Sequence, residues 1–224
     1  MGLALSVRDL VVEGDRGRRL LRIGALDIPA GSCIGVRGPS GAGKSTFLYA
    51  IAGLIALKAG TVTWGDEAIS AMNAPQRARF RRERVGMIFQ DFLLFEELPA
   101  LGNAALAASY AARSERDRIA SGAAAMLAHL GLGDHADRAV DTFSGGERQR
   151  VAVSRALAAD PPVILADEPT ASLDRAAADR LIGDLAELAE TRGKTLIAVS
   201  HDAALHERMD RVIDIVDGCW TGEG

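Results

Sequence analysis

Gly38-Pro39-Ser40-Gly41-Ala42-Gly43-Lys44-Ser45-Thr46 decides how the rest of the chain is read. From Gly38 to Ser45 it satisfies the spacing G-x-x-x-x-G-K-[ST]. A short apolar run at 34–36 precedes it, and a segment with helical spacing, 44–52, follows. Strand, Gly-rich loop and helix in that order predict a phosphate cradle. Glycines let backbone N–H groups turn inward around phosphate oxygens, and the helix start adds positive potential. Lys44 is placed to reach the β- and γ-phosphates, and Ser45 to bind Mg2+. A fortuitous Gly-rich turn is the alternative; the register of Lys44 and Ser45 speaks against it.

The acid that such a loop requires lies far downstream. Residues 163–167, Val-Ile-Leu-Ala-Asp, form an apolar strand ending in a carboxylate. Asp167 is placed to hold Mg2+, usually through water. Glu168 follows it and is suited to orient and deprotonate an attacking water. The plainer reading, two acids capping the loop at Pro169, is weakened by the phosphate loop upstream.

Around these motifs the chain alternates strand and helix patterns. Leu3, Leu5 and Val7 share a face, 10–12 continue the run, Gly14 to Gly17 break it, and 20–28 resume it, which predicts an antiparallel hairpin. Further strands are expected at 34–36, 61–64, 85–89, 163–166 and 196–199, with 212–216 as the last. Helices are expected at 44–52, 175–191 and 203–209. The segment 97–159 is rich in Ala, Leu and Arg. Its stretch 114–130 has helical spacing through Ile119, Ala123, Met126, Leu127 and Leu130, and predicts an inserted helical lobe. The fold class is therefore α/β: a P-loop NTPase core with an N-terminal antiparallel β-subdomain, a largely parallel sheet and an inserted helical subdomain.

Phe143-Ser144-Gly145-Gly146-Glu147-Arg148-Gln149-Arg150 adds a second anion site, a serine hydroxyl and two glycine N–H groups at a helix start. Taken alone it is equally an ordinary capped helix. With the phosphate loop and the acidic strand, it resembles the signature of the ATP-binding-cassette (ABC) ATPases, and the resemblance runs from about Leu5 to Gly218. It implies a single ABC ATPase domain over 1–224, with a RecA-like core at about 1–90 and 160–224 and a helical signature lobe at about 91–159. In that family Ser144, Gly145 and Gly146 would close on the γ-phosphate of ATP held by a second copy. Gln90 resembles the glutamine-loop residue that touches Mg2+ or the lytic water. Asp174, in Ser172-Leu173-Asp174, resembles the loop that links two sites in a dimer, and His201 the switch histidine at the γ-phosphate. His129, His135 and His206 have no such support and read as surface or packing residues.

The stretches Gly86 to Leu94 and Gly145 to Ala152 look like the lipoprotein-releasing, macrolide-exporting and cell-division group. That group implies an ATPase on its own chain, bound as a head-to-tail homodimer to a separate membrane permease at the cytoplasmic face of the inner membrane. In its cell-division members the complex transmits a signal and moves no solute, and the sequence leaves the two roles open.

Two departures stand out. The family places an adenine-stacking aromatic near the end of the first strand, where this chain reads Val11-Val12-Glu13-Gly14. Weak discrimination between ATP and GTP is the expectation. Leu101-Gly102-Asn103 lacks the acid that the group has before Asn.

Bulk composition bounds the rest. With 224 residues and 48% hydrophobic residues but only 4% aromatics, the core must come from Ala, Leu, Ile and Val. A net charge of −4 argues against nucleic acid as a partner through bulk charge. No stretch is apolar and long enough to span a bilayer, so membrane contact is expected only through the permease. Cys33 and Cys219 give no disulfide framework, and Cys33 reads as a buried small hydrophobe. The five arginines of 77–84 read as a solvated helix face, with lipid phosphates or an acidic loop as alternatives. Phe92, Leu93, Leu94 and Phe95 are either core or a groove for a permease helix.

Overall fold

The computed structural model describes residues 1–223, leaving the side chains of Arg16, Thr221 and Glu223 outside the description. The strands are β1 (Leu5–Glu13), β2 (Arg19–Ile28), β3 (Cys33–Arg37), β4 (Ala59–Trp64), β5 (Glu67–Ala68), β6 (Val85–Ile88), β7 (Val163–Asp167), β8 (Thr195–Val199), β9 (Arg211–Val216) and β10 (Cys219–Glu223). The α-helices are α1 (Lys44–Ile51), α2 (Ala74–Arg84), α3 (Ala100–Ala104), α4 (Arg113–His129), α5 (Gly145–Leu157), α6 (Arg175–Arg192) and α7 (Ala203–His206). All ten strands form one sheet in the order β5-β4-β1-β2-β10-β9-β3-β8-β7-β6.

The sheet has two characters. β1, β2 and β4 pair antiparallel. In β1, Leu5 and Val7 are buried, then Leu10 and Val12, so the alternation slips by one residue at Arg8-Asp9. A bulge against β4 between Arg8 and Val11, with Asp9 at φ 48°, absorbs the extra residue and keeps both pairs on the core face. β6, β7, β8 and β3 pair parallel. Every residue of β7 and β8 is buried, as expected of parallel strands covered on both faces.

The expected last strand is not the last. β9 turns through Asp217 and Gly218, both left-handed (φ 50° and 70°), into β10, where Cys219 pairs with Val216. Asp-Gly is the residue pair that a two-residue hairpin requires. β10 also meets β2 through Cys219 and Arg22, and so joins the antiparallel and parallel parts.

Helix ends follow local chemistry. α5 starts in a capping box: Ser144 Oγ accepts from Glu147 N–H at 3.3 Å and Glu147 Oε2 accepts from Ser144 N–H at 2.8 Å. The bond from the Ser144 backbone is the main reason that the Glu147 carboxyl lies below its usual range. α6 ends at Gly193, left-handed at φ 57°. In α4, Ile119, Ala123, Met126 and Leu127 are buried as their spacing predicts. Ile119, Ala123 and Leu127 pack with Ala100, Val140, Phe143 and Val151 in a cluster of their own, while Met126 turns to the cluster on one face of the sheet, with Ile164 and Leu181.

The arginine run lies on α2, and each of its side chains has a partner within the chain. Arg79 and Arg82 meet Glu83, Arg84 meets Glu67, and Arg77 and Arg81 donate to the carbonyls of Met72 and Gly53. The 92–95 cluster is divided: Leu94 packs against the core of the helical lobe, while Leu93 and Phe95 are 56% and 50% exposed. Cys33 is buried, and burial pushes its thiol up to about 11.

Candidate nucleotide-binding site

Parallel pairing sets the C-terminal ends of β3, β7 and β8 side by side, with Val36 opposite Val199 and Val199 opposite Asp167. The residues that follow these strands share one rim, the usual place for a ligand in an open α/β sheet. A cleft of about 690 Å³ opens there. Ser40, Gly41, Gly43, Lys44, Ser45 and Thr46 form one wall; Asp167, Glu168, His201 and Gln90 face them. Gly38, Pro39 and Ala42 do not line the cleft; they shape it. Gly38 has φ 152°, and a Cβ on it would fall 2.0 Å from the Ile215 carbonyl, so the turn admits no side chain.

Lys44 is 7% exposed, and its Nζ donates to the carbonyls of Gly38 and Pro39 at 2.8 and 3.0 Å and to His201 Nε2 at 3.2 Å. An ammonium only donates, so Nε2 of His201 offers its lone pair in this arrangement. Glu168 Oε1 approaches the same nitrogen at 3.5 Å, a near contact and not a second hydrogen bond. The Glu168 backbone is left-handed, φ 47°, anchored by its N–H to the Val199 carbonyl at 2.9 Å. This strained turn swings the carboxylate out of the strand line, where Oε2 accepts from His201 N–H at 3.3 Å.

Asp167 is 1% exposed. Its Oδ1 accepts from Ser45 Oγ at 3.1 Å and its Oδ2 from Tyr49 Oη at 3.2 Å. A hydroxyl and a carboxylate at the foot of a phosphate loop are the hard oxygen donors that suit Mg2+. Tyr49 is absent from the sequence-based set. Its signal was its place four residues after Ser45, on the same face of α1. Burial, then the Asp167 charge, raises its phenol pKa, so the hydroxyl stays a donor.

Leu20 lines the cleft, and among its described lining residues there is no Phe, Tyr or Trp. Val12 is buried in the core, and Glu13 pairs with Lys58 at 3.3 Å.

Ser144, Gly145, Gly146 and Asp174 are not brought to this cleft. Ser144 and Gly145 are exposed at the start of α5. The hydroxyl oxygen of Ser144 is used as acceptor in the cap, which leaves its O–H free to donate. Asp174 caps α6, accepting from Ala177 N–H at 2.9 Å. Beside them run Ser172 and Leu173, the latter 3.1 Å from where a Gly146 Cβ would stand. Gln149, 1% exposed and also absent from the sequence-based set, donates to the Pro169 carbonyl at 2.6 Å and ties α5 to the loop after Glu168.

Known proteins resemble this chain over most of its length. The ABC transporter family profile matches residues 21–171. The chain is 39% identical over 207 residues to a macrolide export ATP-binding/permease protein, MacB, of Bradyrhizobium diazoefficiens, covering 92% of this chain and 31% of that one. It thus spans about a third of that relative's length. It is 39% identical over 208 residues to the uncharacterized ABC transporter ATP-binding protein YbbA of Escherichia coli, covering 93% and 91%. Among solved structures it resembles the cassette MJ0796, in a dimeric post-hydrolysis state bound to ADP and Pi, with TM-score 0.88, 31% identity and 98% and 97% coverage. A loop of phosphate-binding spacing after β3, an acid pair at the end of β7 and relatives of this extent agree: the chain belongs to the ABC transporter family, as its ATP-hydrolysing nucleotide-binding cassette.

Proposed function

We propose that two copies of this chain close head-to-tail around two Mg-ATP and, by opening after hydrolysis, drive a separate membrane permease. The carrying observation is a division of parts. The cleft collects the phosphate loop, both acids, Gln90 and His201, while the anion site at Ser144 to Gly146 lies exposed elsewhere. A second copy, turned by a two-fold axis, would bring the missing donors. The dimeric structures of MJ0796 support the same reading.

In this reading Lys44 and the N–H groups of the phosphate loop hold the β- and γ-phosphates. Ser45, Asp167 and Gln90 would hold Mg2+, which supplies charge neutralisation at the phosphates. Glu168 takes the proton of the attacking water, Gln90 and His201 position water and γ-phosphate, and Asp174 lies in the loop that joins the two sites. The chain acts as one domain, a core at about 1–90 and 160–224 and a signature lobe at about 91–159. Leu93 and Phe95, exposed on the turn after Gln90, offer an apolar surface to the permease. Arg155 holds that turn through the carbonyls of Phe92 and Leu93. Among the described residues no helix is long and apolar enough to cross a membrane, so attachment at the cytoplasmic face of the inner membrane is through the permease.

Glu168→Gln should lower steady phosphate release about 10²–10⁴-fold while ATP still binds. Wild-type turnover by that variant would remove Glu168 from its role. With an aliphatic Leu20 in place of a stacking ring, ATP and GTP should turn over within about tenfold of each other; a strong ATP preference would contradict this. Transport assays in vesicles with the co-purified permease test the coupling, and an ATPase-active complex that moves no solute would replace transport by signalling.

A further inference from the structure

The turn that presents His201 is held from behind by a second histidine. Ser200 is buried, its N–H donates to the Val36 carbonyl at 3.2 Å and its Oγ accepts from Asp202 N–H at 3.0 Å. Its carbonyl lies 2.9 Å from His206 Nε2. A carbonyl only accepts, so Nε2 carries the proton and donates. The other ring nitrogen, Nδ1, is buried without a hydrogen-bond partner. Its surroundings leave the ring little room. A Cβ on Gly35 would lie 2.5 Å from Nδ1, so the imidazole packs where β3 has no side chain. Gly35 is fixed between Ala198 of β8 and Val212 of β9. Arg37 and Asp214, joined by a 2.6 Å ion pair, line the adjoining groove with Glu207 and His201.

The bond matters because of what shares its peptide group. The Ser200 carbonyl and the His201 N–H belong to one planar unit and point in opposite directions. Its oxygen accepts from His206; its N–H donates to Glu168 Oε2 at 3.3 Å. Rotation of this plane breaks both bonds together.

We propose that His206 is a positioning residue for hydrolysis: it pins the Ser200–His201 peptide, and through that peptide it aims the Glu168 carboxylate and the His201 ring into the cleft. His206 touches neither nucleotide nor water. The inference rests on the roles of Glu168 and His201 given above. It adds a control on them from the opposite side of β3, through a contact between two residues far apart in sequence, Gly35 and His206.

Side-chain reach supplies the test. Gln at 206 can bring an amide N–H to the Ser200 carbonyl; Asn falls short, and Leu has no donor. His206→Asn and His206→Leu should lower kcat for ATP roughly tenfold with KM for ATP unchanged, and His206→Gln should stay within about threefold of the parent. Melting curves for all three show which are folded, and the polar Gln–Asn pair carries the comparison if Leu is not tolerated. Equal loss in Gln and Asn, wild-type kcat in both, or a rise in KM alone overturns the positioning role. Glu168→Gln, measured alongside, separates the two readings: if it is inactive while His206→Asn is not, only the role of His206 fails; if it turns over normally, the assignment of Glu168 fails first.

Discussion

The chain holds two glycine-rich helix starts, and they are built for opposite circumstances. At the phosphate loop, α1 begins inside a cleft where Lys44, Asp167, Glu168 and His201 converge from β3, β7 and β8. At Ser144, α5 begins on the surface, its cap closed by its own Glu147, with Ser144 and Gly145 exposed and Gly146 half-buried. Both starts present N–H groups and positive potential to an anion. Only the first has the acids and cations that chemistry on a phosphate needs. The second is half of a site, stable as it stands because the capping box satisfies the helix end without a ligand. In the proposed mechanism one chain would hold nucleotide alone, and catalysis would wait for another.

The strongest way to break this contrast is to spoil the surface start alone. A Cβ at Gly145 would make only ordinary contacts with Ser172, the nearest at 3.7 Å, so Gly145→Glu should fold. Its carboxylate would repel the partner's phosphates. Turnover should fall at least about a hundredfold, while ATP binding by the monomer, followed by calorimetry, stays within about threefold. A parallel loss of binding would show that the two starts are not separate.

Tyr49→Phe sharpens the other half. It removes the hydroxyl that donates to Asp167 Oδ2 and leaves the ring. Mg2+-dependent turnover should drop about fivefold, the worth of one hydrogen bond. An unchanged Mg2+ dependence would place Tyr49 outside the site.

The smallest effect lies beneath the phosphate loop. The Arg37 guanidinium, bonded to Asp214, holds that carboxyl below its usual range. A carboxylate with a depressed folded pKa stabilises the fold above its unfolded pKa, and that contribution is lost as pH falls through the folded value. Arg37→Gln should therefore lower Tm by about 1 °C at neutral pH, the guanidinium being half exposed. The difference should shrink as pH falls below the ordinary Asp value of about 3.9 and vanish once Asp214 is protonated in the folded chain as well. A difference that persists in acid would mean that the effect is not this ion pair.

How much of this was legible depended on range. The phosphate loop and the Asp167 strand are written in contiguous residues, so spacing alone locates them; a helix start at Ser144 is legible too, but the choice between an anion site and an ordinary cap is not. The α4 stripe was equally local. The Asp217-Gly218 turn is local too, and this residue pair is a hairpin signal that leads to β10, a strand beyond the one expected as the last. The exposure of Leu93 and Phe95 was not legible, because a short apolar run looks the same in a core and on a rim. Nor was the fit of His206 over Gly35. It depends on β3 and the segment after β8 being neighbours, which no single stretch of sequence reveals.

The claim that two copies share each nucleotide is tested most directly by mass in solution. Light scattering of Glu168→Gln should give one chain, 23.6 kDa, without nucleotide and twice that with saturating ATP. The same variant with Gly145→Glu added should stay at one chain. A mass that remains at 23.6 kDa with ATP bound, or a doubling that survives Gly145→Glu, would contradict the account.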